Sequence, residues 1–427
     1  MTQTEFDRFT LSNGLRVVLA PDDTSPVIGV SVHYDVGFRS EPEGRTGFAH
    51  LFEHLMFQGS ESLEKLAHFR HVQSAGGTFN GSTHPDYTDF FMVLPSAGLE
   101  RALFLEADRM RAPKLTDENL RNQIDVVKEE IRLNVLNRPF GGFPWILLPP
   151  VLYQTFPNAH NGYGDFTDLE QATLEDCAAF FDTYYAPANA VLTVAGDLDV
   201  ERTKELVEKH FGDVPARPRP ARPSFGEPPP TAELRAEHVD PHAPVPALAI
   251  GYRLPDPIEE MDGYVAHLML AGVLADGDGS RLKQRLVHRE PLVTDVHAGC
   301  GLFGPFEARD PDTFTVTAMH TPAVSVDTLL GAVDEELERL AAEGPNEEEL
   351  AKVTVRWVAT LHREHDRLVS RMLALGSFEL LHGDPGLVYE LPGRISAVSP
   401  QAVAAAAKSL RPDARAVLTV RPAGGAA

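Results

Sequence analysis

NAVLTV at residues 189–194 returns as RAVLTV at 415–420, each shortly after a proline, Pro187 and Pro412. Runs of aliphatic and β-branched residues of this length read as buried strands. A looser pair precedes them, PVIGVSVHY at 26–34 against PVPALAIGY at 244–252, again strand-like in both copies. Two matches in the same order point to one duplicated unit rather than a solenoid of many short repeats. Between the copies lies VPARPRPARPSFGEPPPTA, residues 214–232. Proline at that density removes backbone donors and interrupts both helix and sheet. The chain is therefore divided into a first domain at 1–213, a proline-rich linker at 214–232 and a homologous second domain at 233–427. The expected fold class is α+β, each domain a mostly antiparallel sheet with helices packed on one side.

Within the first copy, Asn13-Gly14 is a strong tight-turn dipeptide and predicts a hairpin over Leu11–Ala20. GFAHLFEHLMF at 47–57 carries apolar residues around a whole helical turn, the mark of a buried helix. Ser62–Ala75 reads as a second helix, and Gly76–Pro95 as strand, turn, strand. Glu100–Arg111 and Asp117–Leu136 read as amphipathic helices.

Composition narrows the function. The 427 residues, 43% of them hydrophobic, suffice for two compact domains. With 38 basic against 62 acidic residues the formal charge is -24, which opposes nucleic acid and anionic membrane surfaces as partners. Two cysteines, Cys177 and Cys300, are too few for a disulfide framework and fit a reducing compartment. The opening MTQTEFDRFTLSNGLRVVLAP resembles neither a secretion signal nor an Arg-rich transit peptide, and no run reaches the ~18 apolar residues of a membrane span. A soluble, cytoplasmic protein with no membrane contact is expected.

The chemistry concentrates in His50, Glu53 and His54. Histidines four apart on a helix share one face, one turn apart, and can clamp one metal ion. Zinc takes imidazole nitrogen and carboxylate oxygen at roughly 2.0–2.2 Å, and catalytic sites use three protein ligands and a water. His-x-x-Glu-His arises by chance in on the order of one chain in twenty of this composition. Its setting adds weight, because three polar side chains on an apolar helix need partners. QIDVVKEEIRLNV offers the third ligand. Val126, Val127 and Ile131 set an apolar stripe that passes closer to Glu130 than to Glu129.

HLFEH followed by Glu130 in DVVKEEI resembles the inverted-motif zinc peptidases, the family of pitrilysin, insulin-degrading enzyme and mitochondrial processing peptidase. The resemblance runs through LSNGLRVVLAPD, GFAHLFEHLMFQGS, GGTFNGSTHPDYTDF and FFDTYYAPANAVLTVAGDLD, almost the whole chain. It implies one zinc ion per chain held by His50, His54 and Glu130, with Glu53 as the catalytic base. It further implies a peptide substrate lying as an added strand along Gly77, Thr78, Phe79, Asn80 and Gly81.

This chain departs from the family pattern in three places. Gln123 stands where many relatives carry a glutamate behind the metal site; its amide can orient a ligand by hydrogen bonding but adds no charge. Aligned on the family's second-domain substrate segment, SRLKQRLVHREPLVTDV presents Val287 and Thr294 in place of an arginine and a tyrosine, and neither Arg285 nor Arg289 is followed by a tyrosine at that spacing. Around GYVAHLMLAGV, the second copy keeps His267 but has Leu270 and Ala271 where Glu53 and His54 stand. The resemblance therefore implies the metal-bearing half of a chamber completed by a homologous subunit, as a heterodimer or a homodimer. Two other readings are a non-catalytic peptide-binding or assembly subunit, and a hydrolase of non-peptide esters or amides.

Overall fold

The computed structural model describes residues 6–423. Its first sheet is built from β1 (Asp7–Thr10), β2 (Arg16–Pro21), β3 (Val27–Tyr34), β4 (Thr78–Thr83), β5 (Thr88–Pro95) and β6 (Ala190–Gly196), in the order β1-β2-β6-β3-β5-β4. The second uses β7 (Leu234–Asp240), β8 (Ala247–Arg253), β9 (Val293–Cys300), β10 (Thr313–His320) and β11 (Arg415–Pro422), in the order β7-β11-β8-β10-β9. Without β1 the two sheets correspond strand for strand. Each has a single parallel pair, β2 with β6 and β7 with β11. The repeated sequences occupy equivalent antiparallel partners, β3 beside β6 and β8 beside β11. The duplication read from short matches is thus a duplication of topology, in an α+β fold of two sheets with helices.

β3 is buried at every position after Val27, which an antiparallel strand achieves only when both faces are covered. Ile28, Val30, Val32 and Tyr34 lie on the face packed by α3 (Leu99–Arg111), which follows α1 (Phe48–Leu55) and α2 (Ala67–Gln73) in the chain. Gly29, Ser31 and His33 face the helix Leu368–Leu381. A Cβ on Gly29 would lie 2.7 Å from Met372 Sδ, and one on Gly376 would lie 2.4 Å from His33 Cε1. In the second sheet, Leu148 and Leu152 pack on Ala249, Ala416 and Leu418, while the helix Met261–Ala275 packs from the opposite face, His267 against Phe314.

Helices expected on one side of each sheet are therefore joined, on the other side, by helices from beyond the proline-rich stretch. Accordingly, one compact unit combines the residues up to Lys128 with Gly162–Pro223 and His362–Glu390. The other combines Glu129–Asn161, Ser224–Leu361 and the residues from Leu391 onward. The proline-rich stretch has no helix or strand, yet its arginines tie it down. Arg217 donates to the Tyr185 carbonyl at 2.8 Å, and Arg219 and Arg222 converge on the Asp35 carboxylate.

Two local readings shift. The helix expected over Ser62–Ala75 contracts to α2, because the Asp108 carboxylate takes the Ser62 backbone N–H and hydroxyl and holds the preceding residues out of helix. The Asn13-Gly14 turn does join β1 to β2, with Gly14 at φ 90. Asn13 does more than turn: its amide donates to the carbonyls of Phe211 (2.7 Å) and Val214 (3.1 Å), and its oxygen accepts from Leu15 N–H (3.2 Å). Asn13→Ala leaves these buried groups unsatisfied and is expected to cost about 2–3 kcal/mol. Urea denaturation should show a lower midpoint with an unchanged m-value.

Candidate active site

Phe48, Ala49, Leu51, Phe52 and Leu55 of α1 are buried, while His50, Glu53 and His54 are half-buried on one stripe. The helix expected to be apolar all round is thus amphipathic, its polar face narrowed to the three residues of the motif. Two features outside the motif hold it. Gly47 precedes it at φ 80, where a Cβ would meet the Tyr163 carbonyl oxygen at 2.5 Å. The buried Glu41 carboxylate accepts from the backbone N–H of Gly47 (2.9 Å) and Ala49 (2.7 Å), satisfying first-turn donors.

The imidazoles of His50 and His54 stand with ring centroids 4.8 Å apart, nearly perpendicular, and the Tyr163 ring lies edge-on to His50 at 5.1 Å. Glu130 comes from the last turn of α4 (Asp117–Ile131). One donor atom from each of His50, His54 and Glu130 lies within 4.8 Å of the others, the single such metal-capable cluster among the described residues. Two imidazoles and a carboxylate are zinc's preferred donors, and that span lets them share one ion after small side-chain movements. The residues present fit the metal.

On α4 the buried stripe is Leu120, Gln123, Ile124, Val127 and Ile131. Val126, counted into that stripe from sequence, is 42% exposed, while Glu129 points outward to Arg132. Glu130 lies one turn beyond Val127 and two beyond Gln123, at the stripe's edge. Gln123 Oε1 is 3.3 Å from His54 Nδ1. An amide oxygen only accepts, so in this contact the imidazole Nδ1 is the donor. The Gln123 amide nitrogen in turn donates to Asn122 Oδ1 at 2.9 Å.

Glu53 faces β4, the free edge of its sheet in the strand order. Phe79, Gly81 and Thr83 turn toward α1, and Thr78 and Asn80, both exposed, turn away. Thr83 Oγ1 donates to Glu53 Oε2 at 2.7 Å, and a Cβ on Gly81 would come within 3.2 Å of Glu53 Cγ and Oε1. Phe79 packs with Phe57 and Phe69 beside the motif. Gly77 precedes the strand, its α-carbon so close to Val93 and Leu94 that a Cβ would lie 2.3 Å from Leu94 Cδ2. Of the strand residues named from sequence, Gly81 therefore abuts the catalytic-base candidate, while Thr78 and Asn80 offer exposed side chains on the other face.

Glu41, Thr83 and Tyr163 were not singled out from sequence. Glu41 and Tyr163 lie outside the motifs that carried the reading. Thr83 was inside GGTFNGSTHPDYTDF, and its period-two spacing from Gly81 was the available signal. In the second unit, Val287 sits in the helical segment Lys283–Arg289 and Thr294 on β9, its hydroxyl donating to the Met319 carbonyl. Arg285 is engaged by Glu335 at 2.7 Å, and Arg289 donates to the Gln284 carbonyl. His267 is buried, its ring nitrogens within hydrogen-bonding distance of the Gly263 carbonyl and Ser409 Oγ.

Residues 16–138 match the family described as Insulinase (Peptidase family M16), and residues 171–354 match the Peptidase M16 inactive domain. The zinc protease PqqE of Helicobacter pylori is 30% identical over 81% of this chain and 77% of its own. The chain belongs to peptidase family M16. An uncharacterized zinc protease of Mycobacterium bovis is 28% identical over 94% of this chain and 90% of its own. A crystal structure of a protease from Helicobacter pylori superposes with a TM-score of 0.90 at 25% identity, covering 98% of this chain and all of that one. The family assignment carries the two-domain fold with it, and relatives named zinc proteases make zinc the metal implied for this member. No helix among its described residues is long and apolar enough to cross a membrane.

Replacing Glu41 by Ala strips the acceptor from two N–H groups at the start of α1. The expected loss is about 1–3 kcal/mol of stability. A zinc titration of the same variant should show weaker binding, although Glu41 is not a ligand candidate.

Proposed function

We propose that this chain is the zinc-bearing subunit of a metallopeptidase that hydrolyses peptide bonds in peptides or unfolded segments. The carrying observation is the convergence of His50, His54 and Glu130 donors within 4.8 Å, with Glu53 on the same helix face and turned to an open strand edge. Bound there, zinc would polarise the scissile carbonyl and supply a water acidified to a pKa of about 7.

His50 and His54 hold the ion from one helix, Gln123 fixing the tautomer of His54, and Glu130 closes the ligand set. Glu53 accepts the water's proton and returns it to the leaving amine. The substrate backbone pairs with the free edge of β4, which gives affinity with little demand on sequence. Val287 and Thr294 supply neither a guanidinium nor a phenol to grip the substrate, and Arg285 is already engaged by Glu335. A homologous subunit, or a second copy of this chain, is therefore proposed to complete the chamber.

A specific observation favours a second reading, a non-catalytic subunit that binds peptide or supports assembly: residues 171–354 match a domain described as inactive. The two readings separate by mutation. Glu53→Gln should retain about one zinc per chain by metal analysis while peptide hydrolysis falls by about 100-fold or more. His54→Ala should lose the zinc as well. Zinc binding without turnover, in the presence of any homologous partner, would leave the second reading standing. Full activity from the purified monomeric chain would remove the need for a partner.

A further inference from the structure

We infer that Thr83 is a positioning residue for the proposed base, its hydroxyl donating to Glu53 Oε2 and holding the carboxylate in one rotamer. The inference rests on the peptidase reading above and adds a residue to it. A carboxylate is acceptor-only, so in the 2.7 Å contact the threonine must donate. The other oxygen has a different surrounding. It lies above Gly81, in space that exists only because that residue lacks a Cβ; a methyl group there would stand 3.2 Å from both Oε1 and Cγ and 3.1 Å from the Phe90 ring. One oxygen is thus tethered by Thr83, and Gly81, two residues earlier on the same face of β4, leaves room for the carboxylate beside the strand.

A tether suits this position. Glutamate has three side-chain torsions, and a half-buried base on a short helix loses effectiveness in each rotamer that turns it from the ligand cluster. Threonine is also a good choice of tether, since branching at Cβ on a strand restricts its own χ1 and aims the hydroxyl. A purely structural threonine, placed only to satisfy a partly buried carboxylate, would affect stability and leave the chemistry alone.

The test compares Thr83→Val, which keeps the shape and deletes the donor, with Thr83→Ser, which keeps the donor. In the zinc-loaded chain with its partner, Thr83→Val should lower kcat for peptide hydrolysis about tenfold or more, with KM within about twofold, and Thr83→Ser should recover most of the loss. In a Glu53→Gln background, Thr83→Val should have no further effect. A readout without turnover is the affinity of the zinc-loaded chain for a peptide hydroxamate, which binds the metal and gives its hydroxyl proton to the base. It should weaken about fivefold or more in Thr83→Val and hold in Thr83→Ser. Zinc content serves as the control and should be equal in all three proteins.

Wild-type hydroxamate affinity and kcat in Thr83→Val, or failure of Thr83→Ser to restore them, would overturn the role of Thr83 and leave the peptidase reading intact. A chain that takes up no zinc would overturn both. Zinc and hydroxamate binding that is sensitive to Thr83→Val, with no hydrolysis in any assembly, would support the tether and count against the peptidase.

Discussion

An eight-residue helix cannot hold two imidazoles and a carboxylate in fixed positions by its own stability. α1 has few hydrogen bonds of its own, so its orientation comes from what it buries and what caps it. Phe48, Leu51, Phe52 and Leu55 lock one side beneath the sheet, and Phe52 meets Phe180 and Tyr185. Glu41 ties the first turn. Only with that side immobilised does the opposite stripe of His50, Glu53 and His54 gain a defined aim. Gln123 and Thr83 reach that stripe from two further elements, at His54 Nδ1 and Glu53 Oε2. The arrangement follows a general rule of active sites: side chains that act are positioned by side chains that do not.

The duplicated fold offers a built-in comparison. After β3 the chain forms α1; after β8 it forms the helix Met261–Ala275, which follows the equivalent strand. In that second helix every residue from Tyr264 to Ala275 is buried. Leu270 and Ala271 serve the core, and the retained histidine, His267, is satisfied within its own unit by Gly263 and Ser409. One position in the architecture thus carries a half-buried polar stripe in one copy and core packing in the other. Leu270 and Ala271 stand there in place of Glu53 and His54, without any change of strand order.

Much of this was legible in the sequence. The His-x-x-Glu-His spacing, the strand–turn–strand before Pro95 and the paired strands of the two copies all depend on local pattern. Glu130 was identified partly through Val126, which is exposed; Val127 and Ile131 were the informative neighbours, because they alone of that group lie on the buried side. Contacts between distant residues were not legible. The tether from Thr83 to Glu53 spans thirty positions, and the cover supplied to β3 by the helix Leu368–Leu381 spans hundreds. The first leaves only the period-two spacing of Thr83 from Gly81, and the second no periodic trace. The shortened α2 has a similar cause, since it is Asp108, on another helix, that withholds Ser62 from helical bonding.

The exchange of covering helices bears on how the chain can be made and divided. Synthesis proceeds from the N-terminus, and the face of the first sheet that carries Gly29, Ser31 and His33 waits until residues 368–381 have emerged. Through that interval this sheet face has no native cover, which exposes the nascent chain to wrong pairings. A cut in the proline-rich stretch would separate each sheet from part of its own roof. The two halves of the sequence are thus copies of one another without being self-sufficient, since each compact unit draws segments from both sides of the proline-rich stretch.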